Sequence, residues 1–507
     1  MISKAIATST FAALFSGARI LVSAQTDRAV YAHFMVGIVR DYTVDDWKAD
    51  MVEAKAIGID GFALNCAPPR VDSYTPDQLA NAYEAAGQSN FTVFISFDFA
   101  YWQNDDTALI TSFLANYSSH PGQAKYDGGQ IASTFVGDSF DWGPVKSALG
   151  SKLTALPTSR TLLRLWLAWP TDGGNSIIPG PMTTTWDDRF VEFLDDRIYM
   201  APVSPWFSTH FNSKNWVFIC EELITDRWEQ MLALKPTLIE IITWNDYGES
   251  HYIAGPEPNH DDDGSSQWAD GFPHDGWRHI MKPYIAAYKA GADTPTVEED
   301  ELVYWYRPTP KDTKCTNDTL PAPQGIQLLA DVIFVTTMLT EAASLTVTSG
   351  TQAPVTIDVA AGIVTKNFTM GVGKQSFSLT RNGAKILGGD GGLDISSSCT
   401  KYNFNAYVGS FGPSGSSSSS TAAPVSTDMP ATTSTSDSTA SLPTTADSTA
   451  SAPSSSDPPA TDSSTSSTPS STPTCDSSSL ATRELVNAPA KMRRIFKLGR
   501  FSLEIDE

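Results

Sequence analysis

Leu238-Ile239-Glu240-Ile241-Ile242-Thr243-Trp244-Asn245-Asp246-Tyr247-Gly248-Glu249-Ser250-His251-Tyr252 decides how the chain reads. It opens as a buried strand, with four apolar residues and a threonine around Glu240. It turns at once into carboxylates, an amide and aromatic rings. That change is expected at the C-terminal end of a barrel strand that carries an active site. Asp246 and Glu249 are two carboxylates three residues apart, and Gly248 between them permits a turn that a Cβ would resist. The rings beside them suit a sugar, whose faces carry C–H groups and whose rim carries hydroxyls.

The rest of the chain repeats the pattern. Strand-like runs at Val30 to Gly37, Gly61 to Cys66, Thr92 to Phe97, Ile131 to Val136, Leu162 to Leu167, Arg197 to Val203, Leu238 to Trp244 and Leu302 to Tyr306 alternate with amphipathic stretches. A helix from Thr43 has Asp45, Asp46 and Asp50 near its start and stops at Gly58. Another is expected through Ala86, with Thr75 as N-cap and Pro76 in its first turn. Eight strands with helical or loop segments between them predict an α/β fold, a (β/α)8 TIM-like barrel over residues 25–310. From about Pro321 helical periodicity nearly vanishes, and short alternating runs separated by Gly and Ser/Thr turns predict a small all-β sandwich over 311–412. Residues 413–480, almost wholly Ser, Thr, Pro, Ala and Asp, read as a disordered stalk suited to O-glycosylation, and 481–507 form a tail without an assigned role.

Asp and Glu number 57 against 34 Lys and Arg, a net charge of −23, which speaks against nucleic acid and anionic membranes as partners. Residues 1–24 read as a secretory signal ending in Val22-Ser23-Ala24, and no later stretch is long and apolar enough to span a bilayer. Sequons at Asn90, Asn116, Asn317 and Asn367 suit a secreted glycoprotein. Of five cysteines, Cys315 and Cys399 bracket one compact region and are the expected disulfide; Cys475 is the odd one. No Cys/His spacing suggests zinc. Asn259-His260-Asp261-Asp262-Asp263-Gly264 lacks the spaced ligands of a calcium loop and reads as a solvated acidic loop.

Glycoside hydrolysis needs one protonated and one ionised carboxyl about the scissile bond. Asp246 and Glu249 are the catalytic candidates; the competing reading has Asp246 capping the next turn and Glu249 solvated. Substrate-binding candidates at strand ends are His33, Asn65, Asp98, Trp206, His210, Trp244, Asn245, Tyr247, His251 and Tyr252, with Asp138 and Trp169 as further subsite candidates. Asp98 equally suits a helix cap, and His33 and Asn65 suit satisfied polar groups of a barrel interior.

Tyr31-Ala32-His33-Phe34-Met35-Val36-Gly37, Asp60 to Asn65, Phe94 to Phe99, Met200 to Phe207, Trp244 to Ser250 and Tyr304-Trp305-Tyr306-Arg307-Pro308 resemble the fungal α-1,3-glucanases (mutanases) of glycoside hydrolase family 71. The resemblance covers roughly residues 28 to 410. It implies a barrel with a β-sandwich and inverting hydrolysis of α-1,3-glucan by Asp246 and Glu249, with Glu249 as general acid and Asp246 as general base. Cys66 and Pro68-Pro69 depart from the usual loop. The expectation is therefore a secreted, monomeric, cofactor-free and metal-free α-1,3-glucanase of the cell wall. The alternatives are a non-catalytic wall-glucan-binding protein and a glucanase for another linkage.

Overall fold

Alternation along the first strands sets the architecture. The computed structural model describes residues 28–157, 167–173 and 176–412, together with the backbone of 493–498 and 501–506. The chain divides after Val425 into two units. The first begins with β1 (Ala29–Met35), α1 (Val44–Ala56), β2 (Gly61–Cys66), α2 (Thr75–Ser89), β3 (Thr92–Asp98), α3 (Thr107–Tyr117), β4 (Lys125–Tyr126), β5 (Gly129–Phe135), α4 (Trp142–Leu149) and β6 (Leu153–Pro157). It continues with α5 (Thr185–Leu194), β7 (Met200–Val203), β8 (Ser208–His210), β9 (Asn215–Val217), α6 (Leu223–Leu234), β10 (Leu238–Ile241), α7 (Ser266–Ala269) and α8 (Asp275–Ala290).

Of these strands, β8 and β9 pair separately as a hairpin, and the other eight form one sheet ordered β4-β5-β3-β2-β1-β10-β7, with β6 also on β5. Every pairing in it is parallel except β4–β5. β10 lies beside β1, in register from Ala29–Leu238 to Ala32–Ile241, so a late strand of the chain returns to the first. Among the described residues β6 and β7 are not paired with each other. The strand expected at 162–167 falls almost wholly outside the described residues, and β6 was not anticipated, because its five residues are too few to show a period.

One face of the sheet packs Val30, Ala32, Phe34, Phe62, Leu64, Val93, Ile95, Phe97, Ile239 and Ile241 against helical residues such as Trp47, Met51, Leu79 and Ile285. Each such side chain contributes roughly 1.5–3 kcal/mol on burial. The opposite face is apolar at its N-terminal end, with Ala29, Tyr31, Ala63, Phe94, Ile131 and Leu238. Further along, the same two-residue period brings His33, Asn65, Ser96, Asp98 and Glu240 to that face. The inner side thus changes from oily to polar toward the strand C-termini.

The α1 boundaries follow the sequence. Thr43 and Asp46 form a reciprocal capping box, and the turn closes at Gly58 with φ +92°. α2 differs from expectation. Thr75 is inside the helix and donates its hydroxyl to the Ala67 carbonyl (3.0 Å) rather than capping. The helix runs on to Ser89 and ends at left-handed Asn90 (φ 51°).

The run Leu302 to Tyr306 is not a barrel strand. As β11 (Glu301–Tyr306) it pairs antiparallel with β12 (Val332–Leu339) and β18 (Tyr407–Phe411), in a sheet completed by β15 (Gly362–Thr369). A second sheet holds β13 (Ala343–Ser349), β14 (Val355–Val359), β16 (Gln375–Arg381) and β17 (Ala384–Asp390). Leu302, Tyr304 and Tyr306 enter the core between these two sheets, whereas Val303 and Trp305 join the core under α8. Both faces of β11 are covered, which is why it reads as an unbroken apolar run like an inner parallel strand. The sandwich therefore starts at Glu301 and contains the expected disulfide, Cys315–Cys399, with Cα atoms 4.6 Å apart. Cys66 and Cys220 are free and buried. In the second unit, β19 (Arg493–Leu498) and β20 (Phe501–Asp506) pair antiparallel. Among the described residues no helix is long and apolar enough to cross a membrane.

Candidate active site

Past β10 the chain leaves the sheet and folds Tyr247–Glu249 into a single 3-10 turn. Asp246 starts that turn: its Oδ1 accepts the Glu249 amide (3.0 Å), and its own amide donates to the Thr243 hydroxyl (2.9 Å). The capping role is thus real, and it leaves Oδ2 facing the His251 Nε2 at 3.8 Å. Gly248 is needed for space rather than for φ. A Cβ there would lie 2.9 Å from Asp263 Oδ2 and 3.0 Å from the Phe211 ring. The left-handed residue is Ser250, at φ 60°.

Glu249 is held from two sides. Lys214 Nζ donates to Oε1 at 2.6 Å, and His251 Nε2 donates to Oε2 at 2.9 Å. The Thr243 hydroxyl lies 3.0 Å from His251 Nδ1 and accepts the Asp246 amide, so Thr243 bridges the His251 ring and the Asp246 backbone. His251 is fully buried against the Trp169 and Phe207 rings. One atom each from Asp246, Glu249 and His251 fall within 4.8 Å of one another, and the cation that faces them is the Lys214 ammonium.

The two carboxyls are electrostatically unlike. Burial pushes Asp246 above the usual carboxylate range, and the Glu249 charge adds to this against the pull of His251 and Lys214. Burial acts on Glu249 in the same direction, but the His251 hydrogen bond and the Lys214 charge outweigh it and hold the group at about 2. The Asp246 carboxyl is thus shifted upward and the Glu249 carboxyl downward.

A second polar group lies on the inner face of the sheet. His33 Nδ1 pairs with Glu240 Oε1 at 2.8 Å, both side chains buried. Asp98 is raised by burial, in part offset by the Ala100 amide, His33 and Asn65, which places these three side chains together. Asp98 also caps its turn by accepting the Ala100 amide (2.9 Å).

Several expected substrate contacts are framework instead. Trp244 is wholly buried on the helix side and donates to Asp50 Oδ1 (2.8 Å), so it offers no face to a sugar. Asn245 staples the end of β1 by accepting the Met35 amide (2.7 Å). Tyr247 donates to the Gly255 carbonyl (3.0 Å) and Tyr252 to the Phe272 carbonyl (2.7 Å). Trp206 donates to the Phe404 carbonyl (3.0 Å) and Trp169 to the Trp206 carbonyl (2.8 Å). His210 is bonded to Asn215 and Asp318. Asp138 lies half-buried beyond β5.

Lys214, Thr243 and Glu240 were missed. Glu240 had a visible signal, a lone carboxylate inside an apolar strand. Lys214 had none, since a lysine in a polar loop ordinarily reads as surface.

Paired carboxyls of opposite charge preference at the end of a parallel strand define a glycosidase-type site. Residues 26–421 match the family model "Glycosyl hydrolase family 71", and the chain belongs to that family. A Penicillium rubens protein named mutanase is 63% identical over 403 residues, covering 77% of this chain and 90% of its own. The glucan endo-1,3-alpha-glucosidase of Schizosaccharomyces pombe is 37% identical, covering 76% of this chain and 94% of its own. The solved endo-alpha-mannosidase of Bacteroides thetaiotaomicron overlaps 50% of this chain and 81% of its own, at TM-score 0.39 and 9% identity, too distant to bear on the chemistry.

Proposed function

We propose that this chain hydrolyses the α-1,3-glucosidic bonds of fungal cell-wall α-glucan, with Asp246 and Glu249 as the acid–base pair. The observation that carries this reading is the gathering of the Asp246 and Glu249 carboxyls with His251 within 4.8 Å past the end of β10, with Lys214 bonded to Glu249. One of the two delivers the proton to the leaving oxygen and the other activates the water. The polar residues Asn65 and Asp98 on the same face of the sheet bind sugar hydroxyls, behind which His33 and Glu240 form a buried pair. The names of the relatives support the α-1,3 linkage.

Inversion, which the resemblance implies, needs carboxyls about 6.5–9.5 Å apart so that water fits between them. The parallel strands belong to a closed (β/α)8 barrel, residues 1–24 to a secretory leader, and 413–480 to a glycosylated stalk that carries the enzyme at the wall. Support for closure comes from the pairing of β10 with β1.

The test is reducing-sugar release from insoluble α-1,3-, α-1,4- and mixed-linkage glucans, with the anomer of the first product read by NMR. Hydrolysis confined to α-1,3 bonds with inverted product is expected. Binding to α-1,3-glucan without release would favour a wall-binding protein, and release from another linkage would change the substrate.

A further inference from the structure

We propose that Lys214 is the positioning residue that sets the catalytic pair to work, and that a strap from the sandwich side, residues 315–324, holds it there. This rests on the acid–base reading of Asp246 and Glu249. Lys214 sits at the tip of the β8–β9 hairpin, where Phe211 and Lys214 exchange backbone bonds of 2.8 and 3.2 Å across Asn212-Ser213. Its ammonium lies 2.6 Å from Glu249 Oε1 and 5.7 Å from the centre of the Phe211 ring.

A lone hairpin is a marginal scaffold in water, and this one is braced from outside. The Val217 amide donates to the Gln324 carbonyl (2.9 Å) and the Gln324 amide to the Asn215 carbonyl (3.0 Å). Asn215 Nδ2 donates to the Pro321 carbonyl (2.8 Å). His210 joins Asn215 on one ring nitrogen and Asp318 on the other (2.7 and 2.8 Å). Asp318 in turn accepts the Tyr402 amide (2.7 Å). The strap is rooted by the Cys315–Cys399 disulfide and by the Thr316 and Asn317 amides on the Cys399 and Thr400 carbonyls. A continuous line of contacts thus runs from the sandwich through the strap to the hairpin and the Glu249 carboxylate.

The charged groups facing Lys214 are Glu249, Asp246 and Asp263; those facing the carboxyl pair are Lys214, His251 and Asp263. Removing Lys214 takes away an ammonium that lies against Glu249 and near Asp246, so both carboxyls hold protons to higher pH.

The test uses the full chain with Asp and Glu carboxyl carbons labelled, assigned with Asp246→Asn and Glu249→Gln and titrated by NMR. In Lys214→Gln the Glu249 midpoint should rise by about one pH unit or more, and Lys214→Arg should restore most of it. Both limbs of the kcat/KM–pH profile should move upward together. Asp318→Ala, which leaves Lys214 in place, should move Glu249 in the same direction by less. An unchanged Glu249 midpoint in folded Lys214→Gln, or a shift that arginine does not reverse, overturns the role of Lys214. An unmoved Asp318→Ala overturns the role of the strap. If the native chain releases no sugar while the midpoints move as stated, the hydrolase reading fails and the charge-setting role of Lys214 stands.

Discussion

His33 and Glu240 pair Nδ1 to Oε1 at 2.8 Å across the neighbouring strands β1 and β10, with both side chains shut away from water. Removing one partner of a buried ionic or hydrogen-bonded pair strands the other, at a cost of about 3–5 kcal/mol. His33→Leu should therefore lower the urea unfolding free energy by that order. The double variant His33→Leu/Glu240→Leu should lose less than His33→Leu alone. A double variant less stable than either single variant would show that the pair does not act as a unit.

Glu249→Gln and Asp246→Asn should each reduce kcat for sugar release from α-1,3-glucan by about 10²–10⁴-fold, the usual contribution of a positioned acid or base. Far-UV circular dichroism should show both variants folded. Near-native turnover in either would remove that residue from the chemistry.

The two carboxyls have opposite effects on stability as pH changes. Asp246 is raised in the folded state, so its contribution is present below the unfolded value of about 3.9 and is lost as pH rises through the folded one. Glu249 is lowered to about 2, so its contribution is present above the unfolded value of about 4.3 and is lost as pH falls toward 2. Asp246→Asn should consequently be more stable than the native chain at pH 7, with the gain shrinking toward pH 4. Glu249→Gln should be less stable at pH 7. Equal shifts of the same sign in thermal scans would contradict this.

Asp50 lies behind Trp244 on α1, and burial raises it to about 7 despite the Trp244 hydrogen bond. It stabilises the fold in its protonated form, and that contribution declines as pH rises through about 7. Asp50→Asn keeps an acceptor for Trp244 and removes the titration. Its unfolding midpoint should vary less between pH 5 and 8 than that of the native chain.

The Cys315–Cys399 crosslink closes a loop with a sequence separation of 84. Cys315→Ser/Cys399→Ser should lose about 2–4 kcal/mol of stability, mainly through the freer unfolded chain. Urea unfolding of the double variant in the absence of reductant measures this.

Local pattern alone determined a good deal. The two-residue period of β1, β2, β3 and β10 and the capping box at Thr43 were legible because they depend on neighbours in the chain. So was the clustering of Asp246, Glu249 and His251, since six consecutive positions hold all three. What lay beyond sequence was the direction in which each ring faces and the charge that each carboxyl meets. Trp244, Tyr247 and Tyr252 look like sugar platforms in a line of text, yet burial and hydrogen bonds to the framework turn each inward. β11 looks like a barrel strand because the sequence records that both faces are apolar, not which core each face enters. Lys214 becomes part of the site only because a hairpin and a strap from far along the chain set it 2.6 Å from Glu249. Coulomb interactions depend on distance through space, and folding alone sets that distance.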